Sequence, residues 1–294
     1  MSRIDLHSHS TRSDGKESPT EVFEHAANSG LDILALTDHD TVKGWQEAAE
    51  AAARLGLGFV PGIEVTSVAR VKSADKERLI SVHLLAYLPD PNHEAFHKML
   101  GDTLTTREAR GRSIVDRLAV DIDITWEMVL EHLEPGATIG RPAIADTLVS
   151  MGLVENRSAA FDFYLSTDGP YFVSHDTVDV VEAIGLILKS GGVPVIAHPL
   201  THVTEKTNSE DLPREHFELM IDSGLMGFEI FHRDVPKPAR KWLIDMANKH
   251  SLIVTGSSDY HGIHGKPNRL GENCTDPEMF ERILAAGTGS KAVL

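Results

Sequence analysis

What most constrains the fold of this chain is the recurrence of short apolar runs that end in His, Asp or Glu and alternate with helical stretches. Residues 3–6 alternate apolar side chains and read as a strand, which stops at His7-Ser8-His9, with Asp14 a few residues on. In an extended segment the side chains at i and i+2 point to the same side. Both imidazoles can therefore face one point in space, the geometry that holding a metal ion requires. Residues 31–36 repeat the device and end in Thr37-Asp38-His39-Asp40, and residues 59–63 end in Glu64. Between the first two runs, Ser18 is an N-cap, Pro19 fits the first helical position and Glu21 can close a capping box. That helix stops at Gly30, and a second, from about Thr41, stops at Gly56. A βαβαβ order with short connections implies parallel strands and right-handed crossovers.

A fourth strand, 78–88, carries His83 inside an apolar run. From about residue 92 to 167 strand alternation disappears, and helical segments are expected at 94–118, 126–133, 141–151 and 158–164. The α/β rhythm then resumes, with strands at 193–197, ending in His198-Pro199, at 227–231, and at 252–255, followed by Gly256-Ser257-Ser258-Asp259-Tyr260-His261-Gly262. Helices are expected at 178–189, 214–223, 237–250 and 277–286. About seven strand–helix units result, divided as an N-terminal barrel part (1–91), a helical insertion (92–170) and a C-terminal barrel part (171–294).

At 294 residues the chain can bury a substantial core. Its net charge of −16 argues against binding a DNA duplex through its backbone, but bound divalent cations would reverse the local sign in a site and admit phosphorylated substrates. With Cys274 the single cysteine, neither an internal disulfide nor a thiolate-rich metal site can form. No secretory segment or membrane-length apolar run is visible, so a cytoplasmic protein without a membrane partner is expected.

Collected from the strand ends, with His83 added, the candidate ligands are His7, His9, Asp14, His39, Glu64, His83, His198, Asp259 and His261. In a parallel barrel such side chains converge on one mouth. Nine donors exceed the roughly four that one zinc takes; with one carboxylate bridging they would serve three ions. Imidazole and carboxylate without thiolate suit zinc, manganese or iron.

The motifs His7-Ser8-His9-Ser10 with Asp14-Gly15, Thr37-Asp38-His39-Asp40, Pro61-Gly62-Ile63-Glu64, His83, Ala197-His198-Pro199 and Ser258-Asp259-Tyr260-His261-Gly262 resemble, in order and context, those of the PHP (polymerase and histidinol phosphatase) family. The resemblance implies an α/β fold, a distorted (β/α)7 barrel carrying a helical insertion, and a trinuclear metal centre that hydrolyses phosphoesters. It implies one ion on His7, His9, Glu64 and Asp259, a second on Asp14, His39 and His261, and a third on His83 and His198 sharing Glu64. Thr11-Arg12-Ser13-Asp14-Gly15 and Gly140-Arg141-Pro142-Ala143 are similar to those of small members that act on nucleotides. The expected reaction is removal of the 3′-phosphate of a nucleoside 3′,5′-bisphosphate by a metal-bridged hydroxide. The alternatives are 5′-to-3′ exonuclease action on short 5′-phosphorylated RNA, a histidinol-phosphate-type phosphatase, or a non-catalytic metal-binding interaction protein. Departures from the subgroup at Ser174-His175-Asp176 and Leu200-Thr201-His202 leave substrate preference open.

Arg12 and Arg141 are the expected phosphate clamps, since a guanidinium fork matches two phosphate oxygens. His202 is a candidate for protonating the leaving oxygen or binding phosphate, and His175 a candidate substrate contact. Asp38 and Asp40 are expected to orient imidazoles, and Glu229 and His232, which end a strand but match no ligand position, to stand behind the ligands or at the rim. The aromatics Trp126, Phe161, Phe163 and Tyr164 read as core of the insertion, with stacking of one on a nucleobase as the alternative.

Overall fold

The computed structural model describes residues 2–73, 76–200 and 214–294. Seven strands form one sheet in sequence order: β1 (Ile4–Asp5), β2 (Ile33–Leu36), β3 (Gly58–Ser73), β4 (Lys76–Tyr87), β5 (Val193–Ile196), β6 (Gly227–Phe231) and β7 (Ile253–Gly256). Helices α1 (Pro19–Asn28) and α2 (Trp45–Leu55) link the first three strands, which pair in parallel as the βαβαβ order requires. The capping box of α1 forms as read: Ser18 accepts from the Glu21 N–H, and Glu21 accepts from the Ser18 N–H. Helices α7 (Val180–Lys189), α8 (Arg214–Asp222), α9 (Lys237–His250) and α10 (Pro277–Ala286) flank the later strands. The sheet nearly closes into a barrel. A parallel bridge between Ser8 and Tyr260 joins the segment after β1 to the segment after β7, with Tyr260 N–H donating to His7 O and His9 N–H to Tyr260 O.

The strand–helix alternation breaks at one place. β3 does not end at Glu64 but runs on to Ser73, and β4 follows it antiparallel with no helix between. Val65, Ala69 and Val71 are buried, so this extension has an apolar face of its own. Glu64 therefore sits within its strand rather than at the end. β4 is antiparallel to β5 as well, with Leu84 opposite Ile196 and Ala197 N–H donating to His83 O. The reversed direction explains why a histidine near the middle of β4 reaches the mouth and lies beside His198.

Five helices lie between β4 and β5, and the four ahead of α7 form the helical block: α3 (Glu94–Leu118), α4 (Trp126–Leu130), α5 (Arg141–Ser150) and α6 (Arg157–Phe163). The first turns of α3 pack Phe96, Met99 and Leu100 into the barrel's outer core. Its last turns place Ile114, Val115 and Leu118 in a separate core with Trp126, Ile144 and Leu148. One helix thus spans both cores and fixes the helical block over the barrel mouth. Among the described residues no helix is long and apolar enough to cross a membrane.

The floor of the mouth is tied by a buried carboxylate. Asp5 accepts from Ser258 N–H at 3.0 Å and Gly271 N–H at 2.9 Å, and lies 3.4 Å from His7 N. Replacing Asp5 with Ala leaves these donors buried and unpaired, which is expected to cost about 2–4 kcal/mol. Chemical denaturation measures this, with Asp5→Asn losing less.

Candidate metal centre

Hydrogen bonds between neighbouring chain segments set the spacing of the candidate ligands. Glu64 N–H donates to Thr37 O and Asp40 N–H to Glu64 O, which places His39 beside Glu64. The bridge at Tyr260 places Asp259 and His261 beside His7 and His9. His198 and Asp259 both adopt positive φ, at 30° and 54°, a backbone that non-glycine residues seldom adopt and that clusters at functional sites.

The result is a buried assembly around Glu64. Its Oε2 lies 3.1 Å from His7 Nε2, 3.0 Å from His9 Nε2 and 3.4 Å from His39 Nε2. Its Oε1 lies 2.8 Å from His83 Nδ1 and 3.0 Å from His198 Nε2. Asp259 Oδ1 stands 3.4 Å from His7 Nε2 and 3.3 Å from His9 Nε2. Asp14 Oδ1 is 3.3 Å from His261 Nε2 and 3.6 Å from His9 Nδ1. Among the described residues three groups have ligand atoms within 4.8 Å of one another: His7, His9, Glu64 and Asp259; His9, Asp14 and His261; and His39, Glu64 and His83. The first is the set expected for one ion. In the other two the geometry draws His9 toward Asp14 and His261, and puts His39 closer to Glu64 than to Asp14, 3.9 Å away.

These residues fit divalent ions. Ligand atoms around an ion with bonds of about 2.0–2.2 Å lie about 3.0–3.5 Å apart, the range seen here. His7 Nδ1–H donates to Glu229 at 3.0 Å, so in the neutral ring Nε2 carries a lone pair, and it faces His9 Nε2 at 3.0 Å. Among the described residues Asp259 Oδ1, His39 Nδ1 and His261 Nε2 are buried without a hydrogen-bond partner, a costly state that a cation at the cluster relieves for the atoms facing it. Burial alone would push Glu64, Asp14 and Asp259 up, but the neighbouring imidazoles (and Lys266 at Asp259) hold all three carboxyls well below the carboxylate range. Burial pushes His39 well down and His261 to about 4, whereas the neighbouring carboxylates raise His7 and His9 against their own burial, His9 to about 9.

Supporting contacts hold the ligand-bearing segments from behind; Asp38 and Asp40, expected to orient imidazoles, bond serine, threonine and arginine groups instead. Asp38 accepts from Ser10 N–H, Ser10 Oγ and Ser13 Oγ, fixing the turn between His9 and Asp14. Asp40 accepts from Thr66 and from Arg107 of α3. Glu229 orients His7 and also accepts from His198 N–H at 2.8 Å.

The cluster opens into a cavity of about 780 Å³ whose wall includes Arg107, Arg110, Arg141, Arg157, His175 and Lys266. Arg141, an expected phosphate clamp, lines it. Arg12 does not: its guanidinium pairs with Glu47 of α2 at 2.8 Å. His202 lies outside the described residues. Arg107, Arg110, Arg157 and Lys266 escaped the sequence reading, although Arg107 and Arg110, three apart on α3, share a helix face. Arg110 bonds only the Val173 carbonyl and Arg141 the Leu165 carbonyl, and among the described residues neither has a carboxylate partner. Burial, and then the nearby guanidinium charges, depress both. Burial, followed by Arg110 and Arg107, lowers His175 to about 3, and its Nε2 lies 3.1 Å from Thr106 Oγ1.

Residues 5–109 match the PHP domain. A phosphoribosyl 1,2-cyclic phosphate 1,2-diphosphodiesterase of Eggerthella lenta is 32% identical over 272 residues, covering 91% of this chain and 97% of the relative. The chain belongs to the PHP family. A 3′,5′-nucleoside bisphosphate phosphatase of Chromobacterium violaceum is 33% identical (89% and 88% covered), and a 5′-3′ exoribonuclease of Haemophilus influenzae is 30% identical (88% and 90%). The structure of a Bifidobacterium adolescentis protein classed as a metal-dependent phosphoesterase superposes with a TM-score of 0.88 at 39% identity, covering 98% and 97% of the two chains. This PHP protein is accordingly a metal-dependent phosphoesterase, a hydrolase of phosphoric ester bonds.

His175 gives a pH test outside the ligand set. A histidine whose folded pKa is depressed takes up its proton more readily when unfolded, so its burial destabilises the fold increasingly as pH falls from about 6.5 toward about 3. The melting temperature of His175→Asn relative to the native protein is expected to rise progressively between pH 7 and pH 4; a pH-independent difference contradicts a neutral buried imidazole.

Proposed function

We propose that this PHP protein removes the 3′-phosphate from nucleoside 3′,5′-bisphosphates. The observation that carries this reading is the pair Arg110 and Arg141, two guanidiniums without a carboxylate partner among the described residues, on the wall of the cavity into which the cluster opens. Like charges are brought together out of water at a cost, and an anion between them offsets it. A substrate that carries one phosphate to the cluster and a second to the arginines satisfies both regions. The cavity volume, about 780 Å³, is in the range of sites for ligands of this size.

In this reading His7, His9, Asp14, His39, Glu64, His83, His198, Asp259 and His261 hold three divalent ions, of manganese, zinc or iron, with Glu64 shared. When bound, such ions polarise the phosphoryl group and lower the pKa of water toward neutrality. The chain itself supplies orientation and charge. Arg110 and Arg141 hold the remote phosphate, and Arg141 lies over the Phe161 ring, 5.2 Å from its centroid, which restricts its direction. Arg107 stays committed to Asp40 and Thr66 and stiffens the wall from behind. His175, neutral, offers hydrogen bonding rather than charge. Arg12, paired with Glu47, has no part in the clamp.

The reading is tested by comparing kcat/KM of the metal-loaded protein on a nucleoside 3′,5′-bisphosphate, a nucleoside 3′-monophosphate, AMP, histidinol phosphate, a ribose 1,2-cyclic phosphate and a short 5′-phosphorylated RNA. The bisphosphate is expected to lead. Arg141→Met is expected to raise KM for the bisphosphate about 10- to 100-fold while leaving the 3′-monophosphate, which lacks the second anion, nearly unaffected. Preferred release of nucleotides from RNA would put the exoribonuclease reading first, and turnover of none of these esters by the metal-loaded protein would rule out the nucleotide reading.

A further inference from the structure

Lys266 and His232 line the same cavity, and neither belongs to the ligand set or to the arginine wall. We propose that they form a paired donor site for the phosphoryl oxygens of the substrate, on the Asp259 side of the cluster. The inference rests on reading the cavity as a phosphoester site and adds two substrate-contacting residues to it.

The loop after His261 is built to deliver Lys266. Gly262 has φ +92°, and Gly265 N–H donates to Gly262 O at 3.0 Å. A Cβ at Gly265 would lie 2.1 Å from His261 O, so the turn closes this tightly only with glycine. Buried Asn268 pins the returning end through its Nδ2–H, which donates to Ser258 O at 2.7 Å. Between these anchors Lys266 Nζ reaches Asp259 Oδ2 at 2.8 Å while its side chain stays 41% exposed, on the cavity. An ammonium has three hydrogens. One is used on Asp259, and the others remain for a ligand.

His232 approaches the same oxygen from β6. Asp234 N–H donates to His232 Nδ1 at 3.1 Å. An Nδ1 that accepts places the proton of the neutral ring on Nε2, so this imidazole offers a donor and no lone pair on that side. It is therefore unsuited to be a further metal ligand. Nε2 lies 3.6 Å from Asp259 Oδ2, beyond hydrogen-bond distance, and is buried without a hydrogen-bond partner among the described residues. Its ring lies 5.3 Å from that of His198, centroid to centroid, so this donor adjoins the cluster. An ammonium and an imidazole N–H thus converge beside Asp259, whose other oxygen faces His7 and His9. The pair suits the non-bridging oxygens of a phosphoryl group held at the cluster, whereas Arg110 and Arg141, on α3 and α5, belong to the helical wall. The contact is ionic and hydrogen-bonding; no covalent bond is made or broken in it.

The test is calorimetric binding of inorganic phosphate to the metal-loaded full chain, with metal content measured on the same samples. Lys266→Met is expected to weaken phosphate binding about 10- to 100-fold at unchanged metal stoichiometry, Lys266→Arg to recover part of the loss, and His232→Phe to lose less than Lys266→Met. Lys266→Gln replaces the methionine variant if that one does not fold. Unchanged phosphate affinity, no binding by the native protein, or a loss that follows loss of metal would each overturn the proposal, the last making Lys266 only an anchor of Asp259. Phosphate binding does not depend on which ester is cleaved. Failure on nucleoside bisphosphates alone would therefore undo the proposed substrate and leave this result standing.

Discussion

A single buried carboxylate, Glu64, lies within 3.4 Å of imidazole nitrogens from five histidines. Those histidines come from the segments after β1, β2 and β5 and from β4, so the barrel must bring four chain segments to one point for the contacts to exist. Without cations, burying so many metal-ligating groups out of water is costly. Folding energy elsewhere therefore holds the cluster together: the apolar cores on both faces of the sheet, and the hydrogen bonds that join neighbouring segments at the mouth.

The helical block between β4 and β5 is part of this support as well as the wall of the cavity. Arg107 binds Asp40, next to His39. Thr138 Oγ1–H donates to His39 O. Arg157 donates to Asp14 O while making two bonds to Asp146, a carboxylate that also pairs with Lys16. Two ligand-bearing segments, those after β1 and β2, are thus braced from outside the barrel. A change in the block would reach the cluster through these bonds as well as through the substrate wall.

Much of the architecture was legible because it is written locally. Each of His7-Ser8-His9, Asp38-His39-Asp40 and Asp259-Tyr260-His261 follows an apolar run, and the cap at Ser18 and the stop at Gly56 mark helix ends without any tertiary information. The extension of β3 was missed because residues 65–73 mix apolar and polar side chains and lack a continuous apolar run; antiparallel pairing with β4 holds them extended. Arg12 was misplaced for a related reason. Its neighbours in sequence are ligands, but its partner, Glu47, lies on the following helix. Arg107 and Arg110 share a helix face, but neither they nor Lys266 carry a signal of what that face meets, since a basic residue on a helix or in a glycine-rich loop reads as solvated until the fold turns it inward.

The central claim is that the Glu64-centred cluster is a multinuclear metal centre. Elemental analysis after manganese reconstitution, performed on the native protein and on Glu64→Gln, addresses it most directly. The native chain is expected to hold about three ions, and the variant, with one bridging oxygen replaced by an amide, fewer than about two at an unchanged circular dichroism spectrum. A native chain that binds no ions, or a Glu64→Gln variant that keeps the full complement, would contradict the account.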